Sequence, residues 1–224
     1  LDTVNADYVQ ACRVSGTLYG LPQMRDMAMG AGAYCIGQEY LDGIGFDYTS
    51  MYEDPENPDI IYTDYETLDN IFAQLHEKYP DKYVFAISDN MIGQGTIVDS
   101  VGGDYFGVLL DPANSLQVEN LFTSDIFKET CQRVYEWNQK GYISQDAVTN
   151  DTALSAQVKS GSYMSMMAQA KPGYSTQISG ECGRPMVVFQ VEPDIMKSSA
   201  VTGILWHLNQ GCEDPIAAMQ LLNA

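Results

Sequence analysis

The sequence has 224 residues, of which 45% are apolar, enough for one large domain or two small ones around a packed core. It contains 11 Lys and Arg against 30 Asp and Glu, so its formal net charge is −19. This charge argues against a nucleic-acid partner, which needs clustered cations for its phosphates, and against an anionic membrane surface.

Residues 51–63 predict a surface excursion, because they contain two prolines and four acids. A helix follows directly: Thr63 and Glu66 have the spacing of a capping box, and Pro80 ends the pattern. The apolar positions between them recur at the period of one helix face. They are Leu68, Ile71, Phe72 and Leu75.

Two strands and a second helix are predicted next. Residues 83–89 predict a buried strand, and residues 104–111 predict a second strand or a hairpin arm. Ser124 begins the helix, and Gly141 stands where a left-handed cap would end it. The predicted apolar face of this helix consists of Phe127, Cys131, Val134 and Tyr135.

The last third of the chain continues the alternation. Asn150 or Asp151 begins a short helix that Gly161 stops, and Asp214 followed by Pro215 begins a final helix. The apolar face of the short helix includes Leu154 and Val158, and that of the final helix Ala218, Leu221 and Leu222. Further strands are predicted at 162–168, 184–193 and 200–209. Because strands alternate with helices, the fold class is predicted to be α/β.

The sequence offers little material for catalysis or metal binding. His76 lies on the predicted polar face of its helix and His207 in a predicted strand, so two isolated histidines indicate neither a triad nor a metal site. The methionines at 27–29 and 164–167 are better explained as adaptable core than as copper ligands. Five widely spaced cysteines without a CxxC pair predict mostly free thiols and leave one disulfide open. We therefore predict no catalytic residue, no metal and no cofactor.

Two loops carry side chains suited to saccharides, which bind through polar groups for their hydroxyls and aromatic faces for their C–H surfaces. These side chains are Asp89, Asn90 and Gln94 after the strand at 83–88, and Gln169, Lys171 and Tyr174 after the strand at 162–168. Open α/β sheets hold ligands outside the carboxyl ends of their strands. We therefore predict that both loops border a ligand cleft.

Five segments, in their order along the chain, resemble the extracellular solute-binding proteins of bacterial ABC importers, in the sugar-binding branch that includes maltose-binding protein. They are GTLYGLP, YETLDNIFAQLHEKYPDKYVF, CQRVYEWNQKGYIS, ALSAQVKSGSYMSMMA and GILWHLNQGCEDPIAAMQLLN. The first resembles that family's crossover from one lobe to the other, and the last resembles the return crossover. Within the family, the sequence looks nearest to the large lipoproteins of Gram-positive bacteria.

The resemblance implies one lobe of a type II periplasmic-binding-protein fold, with a mixed sheet covered by helices on both faces. Residues 1–36 would be the end of the first lobe and the outward crossover, residues 37–199 the second lobe, and residues 200–224 the return crossover with the start of a first-lobe helix. Gln23 and Arg25 would then lie at the hinge, facing the ligand. From the residues alone, an ordinary strand break with a surface Arg-Asp pair is the alternative.

We predict different positions for the two tryptophans. Trp206 lies on the implied return connection, where it is a candidate ligand-binding residue, with a core position as the alternative. Trp137 continues the apolar face of its helix and is predicted to lie in the core.

Neither terminus looks like a natural boundary. The start, LDTVNADYVQ, lacks Met and has no basic region followed by an apolar one, as a signal peptide would. The end, at residues 221–224, lies within an apolar helical pattern. We interpret the sequence as an excised piece of a longer protein, for which missing targeting signals say little about location.

The resemblance implies a receptor lobe without enzyme activity that captures a carbohydrate or similar small polar solute for an importer. Its implied partners are the solute and the permease subunits of the importer, its implied location is the cell surface as a membrane-anchored lipoprotein, and we expect the fragment to be monomeric. A carbohydrate-active enzyme domain and a non-catalytic structural or adhesion module are the alternatives. The solute stays open, with peptides, uronates and polyols among the candidates.

Overall fold

The computed structural model describes residues 6–22, 32–54, 56, 58–87, 98–100, 106–192 and 204–222. Its helices, in chain order, are α1 (Ala6–Ala11), α2 (Gln38–Ile44), α3 (Tyr65–Lys78), α4 (Asp125–Gln139), α5 (Leu154–Lys159), α6 (Tyr174–Cys182) and α7 (Pro215–Leu222). Short 3-10 helices lie at Thr49–Met51 and Leu121–Thr123. Among the described residues, none of the helices is long and apolar enough to cross a membrane.

The strands, in chain order, are β1 (Arg13–Val14), β2 (Thr17–Leu18), β3 (Leu21–Pro22), β4 (Gly32–Gly37), β5 (Ile60–Tyr62), β6 (Tyr83–Ala86), β7 (Asp99–Ser100), β8 (Val108–Leu109), β9 (Val118–Glu119), β10 (Tyr163–Gln169), β11 (Met186–Gln190) and β12 (Ile204–Trp206). The strand predicted at 104–111 is observed as the short β8, a hairpin arm between β7 and β9.

A mixed sheet in the order β5-β11-β4-β10-β6 forms the centre of the fold. The middle strand, β4, runs antiparallel to both of its neighbours, while β10 is parallel to β6 and β11 is parallel to β5. The register therefore brings the carboxyl ends of four strands and the amino end of β4 to one side. We call this side the carboxyl edge, and it is bounded by Tyr62, Ala86, Gln169, Gln190 and Gly32.

Helices cover both faces of this sheet, which confirms the predicted architecture. On one face, Phe72 of α3 and Trp137 of α4 pack around Tyr34 of β4. On the other, α5 and α6 pack through residues such as Ile178 against Cys35, the next residue of β4. The alternation of Tyr34 and Cys35 between the two clusters follows from the period of two along a strand.

The helix α3 begins one residue later than its predicted cap. Asp64, not Thr63, is the N-cap, and its carboxylate accepts a hydrogen bond from the backbone N–H of Thr67 at 2.8 Å. The Thr63 N–H instead donates to the Gln190 carbonyl at 3.0 Å. Thr63 thus extends the ladder between β5 and β11, so the helix begins after it.

The helix α4 has the predicted cap at Ser124, whose hydroxyl accepts from the Phe127 N–H at 3.2 Å. Gly141 has the predicted left-handed conformation, with φ of +77°. The predicted apolar face is wrong at Tyr135, which is 64% exposed. The residue that α4 buries against the sheet is Trp137, at 1% exposed, and Tyr135 lies more than 100° around the helix from it.

The short helix α5 also begins later than predicted. The Asn150 side chain accepts from the Thr152 N–H at 3.0 Å and so caps a turn before the helix. The N-cap is Ala153, which makes no side-chain hydrogen bond. Gly161, with φ of +83°, follows the helix as predicted.

The two predicted crossover segments are paired in the structure. β3 and β12 run antiparallel, with Ile204 opposite Pro22 and Trp206 opposite Leu21. Asp214 caps α7 by accepting from the Ala217 N–H at 2.9 Å. The lobe boundaries themselves stay a prediction.

All five cysteines lie within the described residues and are unpaired there. Cys182 instead packs its Sγ at 3.9 Å from the Met166 Sδ, inside the cluster that also contains Cys35. Burial raises the pKa of the Cys35 thiol, so this side chain behaves as a small apolar group.

Candidate functional site

Five of the predicted site residues lie outside the described residues: Gln23, Arg25, Asp89, Asn90 and Gln94. The strands beside them are described. β6 leads into the segment with Asp89, Asn90 and Gln94, and β4 follows the segment with Gln23 and Arg25. The flanking ends of both strands belong to the carboxyl edge.

Lys171 and Tyr174 follow β10 at the same edge, but their surroundings differ. Lys171 is exposed, and its carbonyl accepts from the Tyr174 N–H at 3.0 Å. Tyr174 is 7% exposed and packs with Ile178 in the core cluster, where burial raises its pKa. The Tyr174 ring therefore contributes to the core, whereas the Lys171 ammonium is open to a ligand.

Trp206 lies on β12 and is 53% exposed, which excludes the core alternative for this side chain in the described structure. Together with Tyr19, which is 58% exposed, it lines a groove of about 250 Å³. Leu21 and Met219 form apolar parts of the same wall. Two exposed aromatic rings in one groove suit the C–H face of a sugar.

A second groove, of about 420 Å³, opens beside α4 where β6 ends. Ile87, the residue after β6, lines it together with Val134, Tyr135 and Ile143. Apart from a few polar groups such as Asn138, its walls are apolar. The residue that follows Ile87 leads into the predicted ligand loop, so this groove adjoins the carboxyl edge.

A polar cluster that the sequence did not reveal lies at the carboxyl edge. The hydroxyl of Tyr65, the first residue of α3, donates to Glu192 Oε1 at 3.1 Å, just beyond the end of β11. The guanidinium carbon of Arg133, on α4, lies 3.4 Å from the centroid of the Tyr65 ring. Tyr34 contacts the same ring edge-on, with centroids 6.3 Å apart.

The electrostatics of this cluster follow from its partial burial. Burial raises the pKa of Tyr65 to about 12, and the Glu192 carboxylate adds to the shift because it would repel a phenolate. The pKa of Tyr34 is raised well above its usual value, first by burial and then by its neighbour Tyr65. Both tyrosines therefore stay neutral across the physiological pH range and can donate hydrogen bonds.

Sequence reasoning gave no signal for this cluster, because its residues come from four places far apart along the chain, namely β4, α3, α4 and the end of β11. The one local hint is that Arg133 precedes Trp137 by one helical turn, which places it near the buried face. Nothing in the helical pattern connects Arg133 to Tyr65 or to Glu192.

The predicted surface position of His76 is corrected by the structure. The His76 ring is half-buried and lies tilted against the Tyr142 ring, with centroids 5.3 Å apart and an angle of 58° between the ring planes. Its Nδ1 atom is buried without a hydrogen-bond partner in the structure. Within the described ranges, no three His, Cys, Asp or Glu side chains are grouped to hold a metal ion.

Comparisons with known proteins give relatives of one kind. No protein-family model matches the chain. A carbohydrate ABC transporter substrate-binding protein of Streptococcus pneumoniae serotype 4 (strain ATCC BAA-334 / TIGR4) is 25% identical over 150 residues, which are 67% of this chain and 28% of that protein.

Two solved structures that are similar to this chain are also of a solute-binding protein. The N-glycan transport solute binding protein NgtS from Streptococcus pneumoniae, in complex with Man5GlcNAc, aligns with 99% of this chain and 46% of its own, with a TM-score of 0.70 and 20% identity. Its complex with Man1GlcNAc aligns with 90% of this chain and 42% of its own, with a TM-score of 0.65 and 19% identity. The chain thus spans less than half the length of the proteins it matches. The predicted fold is confirmed, and the proteins similar to this chain are solute-binding proteins, as the sequence resemblance predicts.

Proposed function

We propose that this chain is part of the solute-binding receptor of a carbohydrate ABC importer and that it forms one wall of the saccharide cleft. The relative from Streptococcus pneumoniae, a carbohydrate ABC transporter substrate-binding protein, carries this proposal. The carboxyl edge supports it, because the strand ends there lead to polar side chains and adjoin an apolar groove.

The proposal extends to the organisation of the chain. Residues 37–199 are proposed to be the second lobe, and residues 1–36 and 200–224 the two connections with parts of the first lobe. The pairing of β3 with β12 supports this division, because an outward and a return connection between two lobes would run side by side in opposite directions.

The remaining roles follow from the same proposal. We infer that the receptor has no catalytic activity, delivers its solute to permease subunits and stands at the cell surface on a lipid anchor. Among the predicted residues, Gln23, Arg25, Asp89, Asn90 and Gln94 stay proposals that rest on the sequence, and the exposed Lys171 and Trp206 are the described candidates.

One wall of a cleft should bind weakly. If each wall supplied half of a micromolar affinity, near −8 kcal/mol, one wall would give about −4 kcal/mol, which is a dissociation constant near 1 mM. Closure and ordering costs are shared between the walls, so this division is crude. Ligand-observed NMR detects binding in this range.

The test is a saturation-transfer NMR titration of the 224-residue chain with Man1GlcNAc and Man5GlcNAc, and with maltose and sorbitol as comparison solutes. A mannose-containing glycan should bind in the millimolar range, and sorbitol should not. Lys171→Ala should weaken that binding about 5-fold or more, because an unpaired ligand hydroxyl costs roughly 1–3 kcal/mol. Lys140→Ala, a matched exposed lysine at the far end of α4, should leave it unchanged.

Two outcomes would contradict the proposal. Appearance of shorter sugars in the NMR tube would favour a carbohydrate-active enzyme. Absence of binding to every solute in the panel would favour a structural or adhesion module.

A further inference from the structure

The chain holds two partly buried arginines in very different ways. Arg184 is held by partners within the chain: its Nη1 donates to Glu39 Oε1 at 2.7 Å and to the Tyr40 hydroxyl at 3.1 Å, although its Nε is buried without a hydrogen-bond partner in the described structure. Arg133 lies on the Tyr65 ring, yet in the described part of the chain no carboxylate forms an ion pair with it and no acceptor takes a hydrogen bond from it. Arg184 is therefore a structural group, whereas the Arg133 donors are available to a ligand.

Stacking presents these donors in a fixed direction. A guanidinium carbon 3.4 Å from a ring centroid lies against the ring face, so the five N–H bonds spread in the plane of the guanidinium rather than into the ring. The Tyr65 ring is itself held, by its hydrogen bond to Glu192 and by the edge of Tyr34. A donor fork that is already ordered loses little entropy when it binds.

Glu192 adds acceptors next to this fork. One of its carboxylate oxygens, Oε1, accepts from Tyr65, and a carboxylate has two oxygens with about four acceptor positions in all. A donor fork beside a carboxylate matches adjacent sugar hydroxyls, each of which both accepts and donates. The same carboxylate, on a chain with net charge −19, disfavours an anionic ligand.

Tyr65, Arg133 and Glu192 are only partly buried and lie at or beside the carboxyl edge of the sheet. Tyr65 follows the end of β5 and Glu192 follows the end of β11, so both belong to the carboxyl edge. Val134, the residue after Arg133 on α4, lines the apolar groove that begins at Ile87 beside the end of β6. Glu192 follows β11, three strand spacings from β6, which is roughly 14 Å at about 4.8 Å per strand. A ligand that touched both Glu192 and the Ile87 end of the groove would therefore be longer than one sugar ring, which favours an oligosaccharide over a single sugar.

We propose that Arg133, stacked on Tyr65, and the neighbouring Glu192 form a subsite that binds the hydroxyl groups of a neutral oligosaccharide. This inference rests on the proposed function and deepens it. It names two residues that bind the ligand, Arg133 and Glu192, with Tyr65 holding both in place, and it restricts the ligand to uncharged, extended saccharides.

The experiment titrates the 224-residue chain and its variants with Man5GlcNAc, a neutral oligosaccharide, and with a trigalacturonate, an acidic one, by ligand-observed NMR. Arg133→Lys keeps the charge but removes the planar fork, and we expect it to weaken Man5GlcNAc binding about 10-fold or more. Glu192→Gln keeps an acceptor for Tyr65 and should weaken binding several-fold. Lys128→Gln, an exposed lysine on the same helix, is the matched control and should change binding less than 2-fold.

The outcomes separate the two proposals. If Man5GlcNAc binds and both Arg133→Lys and Glu192→Gln leave the affinity unchanged, the subsite is wrong and the proposed function stands. If trigalacturonate binds more tightly than Man5GlcNAc, the restriction to neutral ligands is wrong. If neither glycan binds, the subsite is wrong, and the proposed function fails with it only if Man1GlcNAc and maltose do not bind either. Circular dichroism identifies any variant that does not fold, and the subsite is then judged on the other one.

Discussion

Replacing each of the two tryptophans by alanine should have opposite consequences, because their surroundings differ. Trp137 is 1% exposed, in the core between α4 and the sheet, whereas Trp206 is 53% exposed on β12. The first substitution should destabilise the protein strongly, and the second should affect ligand binding instead.

The expected loss at Trp137 follows from its contacts. Its ring lies 5.1 Å from Phe72, 5.4 Å from Phe85 and 5.9 Å from Tyr34, measured between centroids. Its indole N–H donates to Asp69 Oδ1 at 2.7 Å. Truncating such a side chain costs about 3–5 kcal/mol, through lost burial and the cavity that remains. The free energy of unfolding of native proteins is about 5–15 kcal/mol, so this single change would remove a large share of the stability.

At Trp206 the expected loss of stability is smaller. The alanine variant would give up only the buried half of the ring, so we expect a loss below about 1.5 kcal/mol. Because that ring and Tyr19 line one groove, saccharide binding should weaken in the same variant.

Urea unfolding followed by circular dichroism is the appropriate assay, since tryptophan fluorescence would be altered by either substitution. With a slope of about 2–3 kcal/mol per molar urea, Trp137→Ala should lower the midpoint by about 1–2 M and Trp206→Ala by less than about 0.7 M. Equal losses in the two variants, or a larger loss for Trp206→Ala, would refute the assignment of core and surface roles.

Three further predictions concern pH, backbone conformation and thiols. The pKa of Tyr65 is raised to about 12, against 10 in an unfolded chain, so the unfolded state ionises first and the free energy of unfolding should fall from about pH 10 to 12. Tyr65→Phe should reduce this fall with pH in alkaline urea titrations, and an unchanged fall would exclude Tyr65 as its source. Gly141→Ala, at φ of +77°, should lower the free energy of unfolding by about 1–2 kcal/mol, whereas Gly180→Ala, in an exposed and open part of α6, should raise it by about 0.5–1 kcal/mol. Urea unfolding measures both, and a change of the same sign in the two variants would contradict the backbone argument. A thiol reagent without reductant should label the two half-exposed cysteines of the native chain first and all five cysteines after unfolding. Three reactive thiols in urea would mean that one disulfide forms, and fewer than three would contradict the prediction of mostly free thiols. The buried cysteines are Cys12, Cys35 and Cys182, and the half-exposed ones are Cys131 and Cys212.

Local patterns predicted both ends of α4, because a capping serine and a left-handed glycine act through contacts within a few residues. The helix α4 has its cap at Ser124 and its left-handed glycine at Gly141, as the sequence indicates. The cap of α3 was displaced by one residue because the Thr63 N–H bonds to Gln190, a residue far along the chain. A capping-box spacing carries no information about such a long-range ladder.

The site could be predicted only in part, for a related reason. The rule that ligands bind at strand ends placed Lys171 at the carboxyl edge, where the structure shows it exposed. The same rule could not tell that Tyr174, three residues later, turns into the core. The stacking of Arg133 on Tyr65 depends on the order of strands in the sheet, which no local period encodes.

The position of β4 at the centre of the sheet has a consequence for synthesis. Residues 32–37 leave the ribosome long before their two partner strands, β10 and β11, which end at Gln169 and Gln190. At about 5–20 residues per second, the last partner emerges roughly 8–30 s after β4. During that interval an apolar strand has unpaired backbone groups along both edges, which is the situation in which chains aggregate or recruit chaperones. The nascent chain should therefore be most vulnerable before β11 has been made, and slowing translation within residues 40–190 should lower the yield of folded protein more than slowing it afterwards.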